Sequence, residues 1–171
     1  MKPVRRVVTG HRAGRSVVLF DSAAPNQKLR QASGLVSTLL WVTEERPADV
    51  SGSADRSARE IGVPPPPNGS IFRVVDFPPE GGTRSRDAVL KEMGLADAGG
   101  ARHHGMHRTK STDYAVVIEG EIDMLLDDSE VHLVAGDVLV QQATNHAWVN
   151  RGSKPCRIAF VLVDADERLE Q

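Results

Sequence analysis

The chain has 171 residues, a formal net charge of -2, and 26% charged side chains with the two signs interspersed. That length suits one domain with a sizeable core. The charge pattern gives no basic stripe for nucleic acid and no charged block for a membrane surface. No apolar run approaches the roughly 18 residues of a spanning helix, and the start, MKPVRRVVTGHR, meets Arg5, Arg6 and His11 first. The one cysteine, Cys156, lies in the alternating run CRIAFVLV, so it cannot form a disulfide within the chain and reads as a small buried hydrophobe. These observations lead us to expect a soluble cytoplasmic protein whose partner is a small molecule.

In chain order, RRVVTGHRAGRSVVLFDSA reads as two short strands about the Gly10–Gly14 turn, and GLVSTLLWVTEE as another, because β-branched and aromatic residues cluster between glycine-bearing breaks. From Arg46 to Ser70 the pattern collapses. Four consecutive prolines, Pro64 to Pro67, forbid a central strand there, so this stretch is read as a long surface loop. SIFRVVDFPP resumes as a strand and stops at Pro78 and Pro79. SRDAVLKEMGLA carries a helix signature: Ser85 or Asp87 as cap, Val89, Leu90 and Met93 on one stripe, and Gly94 to end it.

The last third alternates with period two. Ile122, Met124 and Leu126 alternate with Asp123 and Leu125, the chain turns between Asp127 and Glu130, and Val131 and Leu133 oppose His132. Gly120 and Gly136 fall at sharp turns, and PCRIAFVLVDA supplies a closing strand. Many short antiparallel strands argue for an all-β sandwich or barrel. We take the chain as one domain: residues 1–70 as strands and loop, 71–165 as the barrel, and 166–171 as a tail.

Two segments carry a family resemblance. HRTKSTDYAVVIEG, from His107 to Gly120, and GDVLVQQATNHAWVN, from Gly136 to Asn150, resemble the paired motifs of the cupin superfamily. Counting back from Gly120 places Asp113 at that family's glutamate and His107 and Thr109 at its paired histidines. In the second motif, His146 and Asn150 match the ending, while Gln141 and Ala143 stand at the proline and glycine positions. The resemblance implies a jelly-roll barrel (double-stranded β-helix), here with an N-terminal strand extension, the proline-rich loop and one short helix. It leaves function broad, from dioxygenases, isomerases and lyases to binding proteins.

The resemblance implies a metal site of three histidines and a glutamate, from which this chain departs. Thr109 is a poor metal ligand and Asp113 is a methylene short. His107, Asp113 and His146 still make a minimal set for a divalent ion such as Fe, Zn, Mn or Ni, and they are the expected catalytic and metal-binding residues. His107 and Thr109 share a strand face, as do His146, Trp148 and Asn150. Thr109 and Gln141 are expected to hydrogen-bond a substrate, and Trp148 and Phe160 to wall the cavity. Without metal, Asp113 would orient His146 as a general base. His103 and His104 offer a supplementary imidazole or a solvated pair, and His132 and His11 should face outward. Tyr114 and Trp148 read as ordinary barrel core.

Two functions remain. One is an enzyme acting on a small carbonyl- or carboxylate-bearing metabolite, and the other is a non-catalytic ligand-binding barrel with a degenerate metal site. The strands before residue 45 could cover barrel edges across a two-fold axis, so a homodimer is expected.

Overall fold

The computed structural model describes residues 1–82, 84–95 and 101–166, so the expected tail lies outside them from residue 167 onward. Eleven strands and one helix follow in order: β1 (Arg5–Arg12), β2 (Arg15–Ala23), β3 (Asn26–Leu29), β4 (Val36–Thr43), β5 (Ser70–Phe77), α1 (Arg86–Met93), β6 (Ser111–Glu119), β7 (Glu121–Leu125), β8 (Glu130–Val134), β9 (Val138–Gln142), β10 (Ala147–Val149) and β11 (Cys156–Asp164). No helix among the described residues is long and apolar enough to cross a membrane.

The strands form a six-stranded sheet in the order β3-β4-β5-β11-β6-β9, a three-stranded sheet β10-β7-β8, and a separate hairpin β1-β2. All pairings within these sheets are antiparallel. The two larger sheets pack face to face, because alternate residues of each are apolar. Val42, Ile71, Val117, Ile158 and Leu162 from one side meet Ile122 and Leu133 from the other, with Cys156 buried among them. This is the all-β jelly-roll barrel expected from the motifs.

Local chemistry sets the boundaries. Helix α1 is capped by the Ser85 side chain, which accepts from the Ala88 N–H, and it ends at Gly94 in the left-handed region with φ 75°. No strand occurs between Thr43 and Ser70, as the prolines required. At the end of that loop, a Cβ on Gly69 would sit 2.1 Å from the Thr43 carbonyl oxygen, so only glycine fits. The loop is tied down by a buried cation: Arg6 donates to Asp55, to Ser57 and to the Leu40 carbonyl. A second buried pair, Arg157 on Asp76 at 2.6 and 2.8 Å, joins β11 to β5 at the barrel end.

Tyr114 corrects an expectation. It is 50% exposed on the outer face of β6. The cause is parity, since its neighbours Asp113 and Ala115 both point into the barrel.

Candidate active site in the barrel cavity

His107 and His146 come from segments 39 positions apart in sequence, and an isolated antiparallel bridge joins them. Each donates its backbone N–H to the other's carbonyl at 2.9 Å. Side chains of such a directly opposed pair leave the sheet on the same side, and the rings stand with centroids 4.4 Å apart. Both residues are buried, with 9% and 2% of their surface exposed.

Backbone carbonyls fix both rings. His107 Nδ1 lies 2.8 Å from the Gly105 oxygen, and His146 Nδ1 lies 2.9 Å from the Thr144 oxygen. A carbonyl can only accept, so the proton of each neutral imidazole sits on Nδ1 and Nε2 carries a lone pair. Burial pushes the pKa of both rings down, and His107 further disfavours a charge on His146, so the pair is held neutral. The expected orientation of His146 by Asp113 is thereby corrected: the Thr144 carbonyl does that work.

Asp113 lines the same cavity of about 80 Å³ as the two histidines, together with Trp148, Phe160 and Arg73. Ser111 Oγ lies 2.5 Å from Asp113 Oδ1 and 3.0 Å from Thr109 Oγ1. The single serine proton favours the shorter contact with Asp113, and the Thr109 oxygen is a second, weaker acceptor for it. Burial raises the Asp113 pKa from 3.8 to about 6, against the opposing pull of the Ser111 bond and the Arg73 charge. Trp148 and Phe160 stack edge to face with centroids 5.4 Å apart and line the cavity.

Thr109 and Gln141, expected to hydrogen-bond a substrate, are buried, but neither lines this cavity. The Thr109 hydroxyl is engaged with Ser111, and the Gln141 amide turns to the Thr144 carbonyl at 3.4 Å. Asn150 is a brace, donating to the Phe77 and Lys154 carbonyls and accepting from the Gly152 N–H. His132 and His11 face outward as expected, with His132 paired to Asp123 at 2.8 Å.

A second group sits beside the cavity. Glu80, His103 and His104 bring their ligand atoms within 4.8 Å of one another and could hold a metal ion. They share a small adjoining pocket with His107, Trp148 and Asn150. His103 has both nitrogens engaged, Nε2 with Glu80 at 2.8 Å and Nδ1 accepting the Gly105 N–H at 3.0 Å. No other three histidine, aspartate or glutamate side chains among the described residues draw this close. His107, Asp113 and His146 do not bring three ligand atoms this close together, although all three line one cavity. His103 and His104, left open between ligands and a solvated pair, thus join Glu80 in the adjoining pocket. The sequence reading missed Arg73, Ser111 and Glu80. A period-two reading of SIFRVVDF could have flagged Arg73 as inward-facing, beside Ile71 and Val75.

The cupin domain family model matches residues 95–163. The chain is 30% identical to the cupin-domain-containing oxidoreductase srdD of Neurospora crassa over 98% of its own length and 78% of that protein. It is 32% identical to the cupin-domain-containing oxidoreductase fogC of Aspergillus ruber, over 96% and 74% of the two chains. Among solved structures, a cupin 2 conserved barrel domain protein from Salinispora arenicola overlaps 82% of each chain at 15% identity and a TM-score of 0.45. By its matches across nearly its whole length, the chain belongs to the cupin domain family.

Proposed function

We propose that the chain is a cupin-type enzyme acting on a small carbonyl- or carboxylate-bearing metabolite inside the barrel. The observation that carries this reading is the pair of buried imidazoles, His107 and His146, each with Nδ1 on a backbone carbonyl, lining one cavity with Asp113. Burying two imidazoles and a carboxylate in one small space is costly to folding, so a purely structural origin is disfavoured. The oxidoreductase names of the relatives support an enzyme over a binding barrel.

Two neutral imidazoles supply two of the three protein ligands that a catalytic divalent metal ordinarily takes. Iron, zinc, manganese or nickel would find two ligands in the Nε2 atoms of His107 and His146, and the ion would serve as a Lewis acid on a substrate oxygen. Asp113 is not drawn into a three-ligand cluster with them, so we assign it the proton. A carboxylate with a pKa near 6 is ionised at neutral pH yet more basic than an ordinary aspartate, which suits removal of a proton from the carbon beside a carbonyl. The C–H electron pair then moves onto the carbonyl oxygen as an enolate, and the proton rests on an Asp113 oxygen. Ser111 keeps that carboxylate oriented. Trp148 and Phe160 keep water from competing for the proton.

Metal analysis tests the reading against the alternative of a non-catalytic barrel. Protein purified without chelator should carry close to one divalent metal per chain, and His146→Ala should lose it. Substoichiometric metal in both proteins would overturn the metal-assisted form.

A further inference from the structure

Arg73 stands on β5 with only 5% of its surface exposed, and it lines the cavity shared by His107, Asp113 and His146. Its Nη2 donates to the Gly62 and Val63 carbonyls at 2.7 and 3.3 Å, while its buried Nε has no hydrogen-bond partner. No carboxylate among the described residues forms an ion pair with it. Asp113, the one anion that favours its charge, bonds to Ser111 instead. An unpaired buried guanidinium is expensive unless something anionic joins it. Arg30 lines the same cavity, with Nη1 on the Glu92 carbonyl at 3.0 Å, and adds a second cation.

We propose that Arg73, with Arg30 behind it, forms an anion subsite that receives the carboxylate of the substrate. This deepens the preceding reading and rests on it, because it takes the cavity as the substrate's place. A guanidinium offers planar, paired N–H donors, which match a carboxylate better than a carbonyl or hydroxyl. The cavity is far below the roughly 300 Å³ of ordinary ligand pockets, so the acid is short. Anchoring its carboxylate on Arg73 leaves the adjoining carbons to the histidine and Asp113 side.

Calorimetric titration with propionate and with its neutral counterpart propionamide tests the subsite. Wild type should bind propionate at least tenfold more tightly. Arg73→Met, checked for folding by circular dichroism, should lose that selectivity, and Arg73→Lys should keep part of it. His146→Ala should retain the selectivity, so that a failed catalytic or metal reading would leave the anion subsite standing. Equal binding of the two probes by wild type, no propionate binding at all, or undiminished selectivity in Arg73→Met would overturn it.

The outer face of the six-stranded sheet carries an independent feature. Trp41, Phe72, Val161, Tyr114 and Val140 stand opposite one another on five neighbouring strands, from β4 to β9, and Val74, Ala159, Val116 and Val138 form the next row. Phe72, Tyr114, Val116, Ile118, Val138 and Val140 are 40–72% exposed. Together they leave on the order of 600 Å² of apolar surface uncovered, as much as the largest patch on a typical monomer and most of the about 800 Å² that each partner contributes to a standard interface. At the β4 end, the β1-β2 hairpin stands over a wide groove whose walls include Val7, Leu19, Trp41 and Phe72.

We infer that a second copy of this chain seats on this face. A two-fold axis through the middle of the rows would set apolar side chains against apolar side chains across the interface. Light scattering coupled to size exclusion, at micromolar concentration, should give twice the 18.5 kDa chain mass. Tyr114→Glu and Val138→Glu should each give folded monomers, whereas Val131→Glu, on the other sheet, should remain dimeric. A monomeric wild type, or dimers that persist in both face variants, would overturn the pairing.

Discussion

Asp113 is the side chain whose surroundings oppose its own charge most usefully. Its folded pKa of about 6 lies above the 3.8 of a free aspartate, so the native state holds its proton more tightly than the unfolded chain does. The resulting stabilisation is present in full below pH 3.8 and is lost as pH rises through 6. His107 and His146 act in the opposite sense, because their pKa values are depressed: what they contribute is present above about pH 6.5 and is lost as pH falls. Asp113→Asn, whose amide oxygen can still accept from Ser111, should therefore raise stability by about 2 kcal/mol near pH 8 and change little near pH 4. Denaturant melts at the two pH values measure this. At the same scale, the histidine pair was legible because strand parity and motif spacing agree. The roles of Thr109 and Gln141 were not, because short local hydrogen bonds that spacing cannot show divert both side chains. Arg73 escaped notice because a lone arginine in an apolar strand carries no motif.

The elements were read most securely where backbone chemistry is decisive. The Ser85 cap and the Gly94 terminus bound α1 as the sequence implies, and Pro78 ends β5. Strand β3 was missed because NQKL is polar: it lies at the sheet edge on β4, where only one residue in four is even half-buried. Tyr114 was misassigned to the core because aromatic character was weighed above its place beside inward-facing Asp113. The stretch from residue 46 to 69 was legible as strandless, but its fastening was not. The Arg6–Asp55 pair joins residues 49 positions apart, and neither residue signals the other in sequence.

At the scale of the whole molecule, the sheet order brings β6 against β9 and β10 against β7, which is what carries two remote segments to one cavity. Period-two patterning implied a barrel but could not show which rings would meet inside it or which outer face would be left apolar. The central claim is that His107 and His146 are buried neutral imidazoles with protons on Nδ1, which leaves their Nε2 lone pairs available to a metal or substrate. Long-range ¹H–¹⁵N correlation spectra of the histidine rings, recorded on metal-free protein from pH 8 to pH 5, read this directly. The account predicts that two rings, identified by their loss in His107→Ala and His146→Ala, stay neutral throughout in the Nδ1–H form. Rings at these positions in the Nε2–H form, or titrating near 6.5 as exposed histidines do, would contradict it.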